Sequence, residues 1–259
     1  MQSQEYYRIE RMESTHFWYR GMRQLINMYL DKYVHKPSKI LDAGCGTGGF
    51  AQECGGLGHV FAIDVNKTAI KFARKKNIAD VRKASVCKLP FKNNSFDAVL
   101  CLDVIYHQDV PDDQEAMHEC FRVLKPGGLF ILRVPAFEFL RGSHDIVVLT
   151  RKRYTKSEVR TLVRSAGFAI LYLTYANMLL SIPLFFKRVF ERFFSKNHKP
   201  HSDSSLLPRG INWLFELILS TENRLLTRVS LPFGSSVVCV CRKPTTRFIL
   251  RNLAKQRGR

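Results

Sequence analysis

The stretch Lys39-Ile-Leu-Asp-Ala-Gly-Cys-Gly-Thr-Gly-Gly-Phe50 decides the fold. Ile40 and Leu41 read as a short buried strand. Gly44, Gly46 and Gly48 remove Cβ where the chain must turn tightly and a ligand must approach bare backbone. From Phe50 onward the pattern is helical. Gly44, Gly46 and Gly49 also satisfy the spacing G-x-G-x-x-G, so the glycines alone leave two ligand classes open, a dinucleotide and an adenosyl sulfonium.

Two carboxylates separate these classes. Asp42, at the end of the strand, would repel a pyrophosphate but attract the ammonium and sulfonium groups of S-adenosylmethionine. The apolar run Val60-Phe-Ala-Ile-Asp64 ends in a second carboxylate twenty residues past Gly44, the position that grips ribose hydroxyls, with Val65 beside it. The structural alternative for Asp64 is a helix N-cap before Lys67.

Further along, Leu89-Pro-Phe91, Ser95-Phe-Asp-Ala-Val-Leu100 and Arg122-Val-Leu-Lys-Pro-Gly-Gly128 follow in order. The Pro126-Gly127-Gly128 segment stops a helix over 112–124 and turns into a strand over 129–134. With the glycine turn, this order resembles the class I S-adenosylmethionine-dependent methyltransferases over about residues 39 to 135. The likeness is strongest to the branch acting on small molecules and quinone precursors. It implies S-adenosylmethionine as cofactor, and a donor and acceptor lined by Leu102-Asp-Val-Ile-Tyr-His107. On this reading Leu102 faces the donor, Asp103 and Tyr106 face the acceptor, and His107 is the candidate base, since histidine takes a proton near neutrality. Ser85 stands where similar enzymes place an aspartate that reaches the adenine amino group. Its hydroxyl can still accept one hydrogen bond, and the backbone N–H of Val86 can contact the ring.

Outside that core, His16-Phe-Trp-Tyr-Arg20 with Arg23, His144-Asp145 with Arg153-Tyr154, and Leu231-Pro-Phe-Gly-Ser235 resemble blocks of a bacterial methyltransferase group. The resemblance implies that Trp18 and Tyr19 close over the donor and line the substrate, and that His144 and Asp145 order the acceptor lid. Core packing and loop anchoring are the respective alternatives. Thr150 stands where that group usually has histidine, which leaves a ligand role there unsupported.

Strands expected at 39–42, 59–64, 80–84, 96–102, 128–134, 169–175 and 236–241 alternate with helices. That is the pattern of an α/β, Rossmann-like, mostly parallel seven-stranded sheet with helices on both faces. A helix from Thr155 to Ala166 is opened by a capping box with Glu158 and closed by Gly167. At 259 residues the chain suits one methyltransferase domain over 1–242, with an N-terminal helical cap at 5–34, a helical insert at 176–235 and a basic tail at 243–259.

The insert carries an expected amphipathic helix. Phe185, Phe186, Val189, Phe190, Phe193 and Phe194 fall on one face, and Lys187, Arg188, Glu191, Arg192 and Lys196 on the other. A loop over 197–210 and a second amphipathic helix over 211–229 follow. The uncharged run Ser165 to Phe186 is broken by Gly167, Asn177 and Pro183 and reads as helix, turn and strand in place of a membrane span.

Residues 1–140 hold 19 Lys/Arg against 16 Asp/Glu, and the remainder 22 against 6. A basic half on a nearly neutral catalytic half points to a polyanionic surface or acceptor. Seven cysteines without a C-x-x-C pair argue against zinc, so no metal is expected, and against a disulfide framework. No apolar signal core opens the chain, so a cytoplasmic setting is expected, peripheral at the membrane through the insert or tail.

The leading function is methyl transfer to oxygen of a small or lipid-like acceptor, with an anionic membrane surface as partner and a homodimer as a further option. The alternatives are methylation of nucleic acid, disfavoured because Leu102-Asp-Val-Ile replaces a Pro-Pro-aromatic turn, and a non-catalytic donor-binding scaffold.

Overall fold

The computed structural model describes residues 1, 3–35, 38–194 and 207–245. The loop over 197–206, Lys196 and the tail from 246 lie outside the described residues. Seven strands form one sheet: β1 Ser38–Ala43, β2 Gly58–Asp64, β3 Asp80–Lys83, β4 Phe96–Leu102, β5 Leu124–Pro135, β6 Ala169–Ala176 and β7 Ser236–Arg242. Their order is β3-β2-β1-β4-β5-β7-β6, with β7 antiparallel to both neighbours and the remaining pairs parallel. The strand order reverses between β1 and β4, so the crevice for a ligand opens at their carboxyl ends.

Alternate residues of each strand supply two cores. Leu41, Val99, Phe130, Leu132 and Cys239 bury one face under α5 (Asp113–Val123) and α7 (Lys156–Ser165). Ile40, Leu100, Ile131 and Val238 bury the other with Leu25, Ile26 and Tyr29 of α2 (Phe17–Tyr33) and Leu226 of α9 (Arg209–Leu226). Both faces are dry, which is why the strands read as continuous apolar runs.

Two expectations need correction, and two readings are refined. The N-terminal cap at 5–34 is two helices, α1 (Ser3–Met12) and α2, because His16 takes extended backbone (φ −75°, ψ 131°) and its ring accepts from Trp18 N–H as the N-cap of α2. Strand β5 begins at Leu124, before the Pro126-Gly127-Gly128 turn. Its register jumps from Phe96↔Leu124 to Ala98↔Leu129, so the turn is a bulge inside the strand, with Gly127 at φ +82°. The cap of α4 (Lys67–Ala73) is Asn66, whose Oδ1 accepts from Thr68 N–H at 2.8 Å, and Asp64 is left free for the site. The other correction, besides that to β5, concerns the insert.

That insert holds α8 (Met178–Phe194) and α9, joined at one end by Glu222, whose carboxylate accepts from Met178 N–H and Leu179 N–H at 3.0 Å each. On α9, Leu219 packs so closely on α2 that a Cβ at Gly21 would come within 2.6 Å of it, and Asn223 donates to Gly21 O at 2.8 Å. The expected faces of α8 are partly reversed: Arg188 is buried, while Phe186 and Phe190 are 65% and 62% exposed. A cradle without side chain admits the guanidinium, since a Cβ at Gly142 would lie 2.4 Å from it. Among the described residues no helix is long and apolar enough to cross a membrane. The uncharged run Ser165 to Phe186 is the end of α7, a turn at Gly167 (φ +95°), β6 and the start of α8.

Candidate active site

The turn after β1 is shaped by two glycines with different duties. Gly44 has φ +100°, and a Cβ there would come 2.2 Å from Val104, so the turn and the segment after β4 are pressed together. Gly46 has φ +53° and open space within 4 Å of where a Cβ would stand. It therefore forms the accessible wall of the turn. Gly48 is the N-cap of the short α3 (Gly49–Glu53).

Two acidic groups flank this wall. Asp42 is buried in β1, and burial first, then the charge of Asp64, pushes its carboxyl up to about 7. Asp64 ends β2 and accepts from Gly46 N–H at 3.0 Å and Asn66 N–H at 2.8 Å. Burial raises its pKa and these two hydrogen bonds oppose the rise. Each of its oxygens keeps lone pairs for ribose hydroxyls. Val65 is exposed, Leu102 half-buried, and Val86 buried in the turn after β3. Ser85 in that turn accepts from Cys87 N–H at 3.2 Å, which uses part of the acceptor capacity expected to face adenine. Two buried carboxylates beside a cradle without Cβ suit a cationic adenosyl ligand, and the elevated Asp42 shows an acid that lacks a compensating cation. S-adenosylmethionine would be held by Asp42, Gly46 and Asp64, and it would supply a methyl group activated on a sulfonium.

Helix α1 lies across this turn. Glu13 accepts from Thr47 Oγ1 at 2.6 Å and pairs with Lys76, which also binds Glu10 at 3.0 Å. Tyr6 packs on Ala69 and Phe72. Burial raises the Glu13 pKa against the opposing effects of Lys76 and Thr47. Glu13, Thr47 and Lys76, the residues that fasten α1 to the turn, carry no local motif.

His107 follows the β4 segment. Its Nδ1 accepts from Asp109 N–H at 3.0 Å, its Nε2 meets the Met1 amine, and its backbone bridges Thr150. Burial first, then the Met1 charge, lowers its pKa, so the ring is neutral at pH 7, the form able to accept a proton.

Beside the segment expected to face the acceptor, the sequence reading missed Arg133. Arg133, near the end of β5, is buried and donates to Asp103 and, at 3.1 Å, to Ser236 Oγ. The ring of Trp18 lies 5.2 Å from its guanidinium carbon, and its Nε–H has no partner among the described residues. Asp103 takes a left-handed backbone conformation, φ +56°, directly before the Val104 that abuts Gly44. The pair thus stands beside the mouth of the glycine turn. A lone arginine inside an apolar strand was the available signal.

Tyr106 is close enough for Asp103 and Asp145 to help burial raise its phenol pKa. Burial raises the Asp103 pKa, against the opposing charges of Arg133, of His144 in α6 (Ser143–Val147) and of Arg153. Asp145 is buried and held by Arg153 through two hydrogen bonds of 2.9 and 3.0 Å, and it accepts from Gly142 N–H. The Thr150 hydroxyl adds a further hydrogen bond to Asp145 that keeps its pKa low, so threonine anchors the lid here. Tyr19 sits half-buried on α2, with its ring 5.8 Å from that of His16. The structure therefore gathers Trp18, Tyr106 and His144 around Asp103 and Arg133, and it puts His107 against α1. Among the described residues there is no cluster suited to a metal ion.

A doubly wound sheet with an acidic, glycine-lined adenosyl cradle and an adjoining polar chamber defines a methyl-donor-binding α/β protein. Comparisons with known proteins agree. Residues 41–132 match a family model described as a methyltransferase domain. The chain is 32% identical over 168 residues to the ubiquinone biosynthesis O-methyltransferase of Azotobacter vinelandii, covering 55% of this chain and 69% of that protein. It is 31% identical over 136 residues to cycloartenol-C-24-methyltransferase 1 of Oryza sativa subsp. japonica, spanning 46% of this chain but only 39% of that protein. A SAM-dependent methyltransferase from Thermotoga maritima, described as a possible histamine N-methyltransferase, superposes with a TM-score of 0.61 at 20% identity, covering 93% of this chain and 95% of that one. The chain belongs to the class I S-adenosylmethionine-dependent methyltransferases.

Proposed function

We propose that this protein transfers the sulfonium methyl group of S-adenosylmethionine to an oxygen of a small, partly apolar acceptor of the quinone-precursor or sterol-like class. One observation carries the reading: the Asp103–Arg133 pair stands beside the same turn that forms the donor cradle, joined to it through the close approach of Val104 to Gly44. The names of the relatives, which act on ubiquinone precursors and cycloartenol, support an acceptor of this size and polarity.

Displacement at a methyl group requires nucleophile, carbon and sulfur in line, and such positioning is worth about 7–11 kcal/mol. The protein supplies this geometry with few chemical groups. Asp42 and Asp64 fix the donor, Trp18 and Tyr106 wall the acceptor, and Asp103 accepts a hydrogen bond from the acceptor hydroxyl. His107 would serve as the base only after its ring leaves Asp109 N–H and the Met1 amine, since both ring nitrogens are engaged away from Asp103 and Arg133.

The test is turnover with isotope-labelled S-adenosylmethionine on pooled quinone, sterol and phenolic acceptors, with products resolved by mass spectrometry. Labelled O-methyl ethers are the expected result. Donor binding without transfer to any pool would leave a scaffold, and binding of a nicotinamide nucleotide in place of the donor would overturn the reading altogether.

A further inference from the structure

The reversed faces of α8 leave an apolar surface exposed among the described residues. Leu179, Ile182, Phe186 and Phe190 are exposed and fall within one narrow stripe of the helix. On the antiparallel neighbour α9, Ile211, Trp213, Leu214 and Leu217 are exposed as well, Trp213 to 65%. An apolar surface of this extent marks an interaction site.

The charges around it have one sign. Glu191 is taken by Arg188, Glu216 by Arg20, and Glu222 by the backbone at the start of α8. Arg209 and Arg224 of α9 and Arg228 just beyond it are exposed and make no ion pair among the described residues. The acids on the two helices are held in these contacts, while Arg209, Arg224 and Arg228 stay exposed.

The surface also leads to the acceptor chamber. Phe186 packs on Phe185, with ring centroids 5.8 Å apart, and Phe185 packs on Phe139 at 6.0 Å. Phe139 belongs to the lid whose next helix, α6, carries His144. On the same lid, Gly142 seats the guanidinium of Arg188.

We propose that the outward faces of α8 and α9 dock on an anionic lipid bilayer and lie in its interface, beside the acceptor lid. Helices that combine exposed Trp, Phe and Leu with unpaired arginines have the composition of interfacial helices. Neither helix is long and apolar enough to cross a membrane. A second copy docked through the same face would bring Arg209, Arg224 and Arg228 against their counterparts, which disfavours self-association. The proposal deepens the functional reading above, on which its link to a partly apolar acceptor rests.

The chain contains two tryptophans, and Trp213 stands within the proposed contact. With phosphatidylcholine vesicles containing phosphatidylglycerol, the full chain is expected to co-sediment and its emission to shift to the blue. The shift is absent in W213F, and salt weakens the binding. The double variant F186S/F190S lowers the partition coefficient about tenfold or more.

Failure to bind these vesicles, unchanged binding by F186S/F190S, or a blue shift without vesicles that grows with protein concentration would each overturn the proposal. Calorimetry with S-adenosylhomocysteine on the same samples separates the two readings. A donor-site heat without vesicle binding removes only the docking surface, and vesicle binding without that heat removes only the methyltransferase reading. A retained heat in F186S/F190S also shows that the variant is folded.

Discussion

The pair Asp103–Arg133 makes an asymmetric prediction. The side chain of Arg133 is 6% exposed and that of Asp103 35% exposed. Replacing Asp103 by Asn keeps a residue that tolerates φ +56° and removes only the charge. The guanidinium is then left in the interior with the Ser236 Oγ hydrogen bond and the ring of Trp18 on one side. Breaking a buried pair in this direction costs about 3–5 kcal/mol. Replacing Arg133 by Met leaves a carboxylate that is partly solvated and still feels His144 and Arg153, so the loss should be roughly 1–2 kcal/mol. For a domain of this size about 1 kcal/mol shifts Tm by ~2–4 °C. D103N should therefore melt roughly 6–20 °C below the parent, R133M only a few degrees below it, and the double variant D103N/R133M should recover most of the difference. Thermal and urea unfolding of the four proteins measures this. A D103N protein within about 1 kcal/mol of the parent, or an R133M protein less stable than D103N, would refute the assignment of a buried cation that depends on its carboxylate.

Asp42 yields a pH prediction. Its folded pKa is raised to about 7, so the ligand-free fold binds a proton that the unfolded chain releases near the ordinary value, and stability attributable to this group declines as pH rises from about 4 through 7. A cationic donor lowers that pKa, so binding near pH 7 should release a proton, seen as a dependence of calorimetric heat on buffer ionisation enthalpy that is lost in D42N. For Asp64→Ala, loss of charge-assisted hydrogen bonds worth about 1.5–3 kcal/mol should weaken donor affinity about tenfold to a hundredfold, and unchanged calorimetric affinity would reject the role. Gly46→Ala should fold, at a cost of about 1–2 kcal/mol for its left-handed backbone, yet lose donor binding, because the space beside it is open. Gly44→Ala should unfold the turn itself by forcing Val104 away, as circular dichroism would report.

The sheet was legible because its strands are buried on both faces and bounded by turns, so six of the seven expected strands agree with the structure to within a residue or so. The seventh, β5, begins earlier because a bulge over 125–128 resumes pairing across a turn that local sequence reads as a stop. The gathering of Asp42, Gly46 and Asp64 around one turn was legible too, because the turn and the two strand ends carry local motifs. The acceptor side was not. Arg133, Asp103, Ser236 and Trp18 come from four separated segments, and only the docking of α2 against the ends of β5 and β7 brings them together.

The insert shows the same limit from the other direction. Periodicity identified an amphipathic helix in α8 but could not orient it, because orientation depends on which neighbour offers a complementary seat. Gly142 offers a guanidinium-sized one, and Glu191 stays within reach of the arginine seated there. Burying Arg188 in this way turns the stripe of Phe186 and Phe190 outward. A sequence selected only to close a lid would gain by the opposite rotation, which buries two phenylalanines, each worth roughly 1.5–3 kcal/mol, and solvates an arginine. The observed rotation forgoes that stabilisation, so the outward aromatic stripe is accounted for by a surface that receives it elsewhere, and the adjoining unpaired arginines give that surface a negative charge.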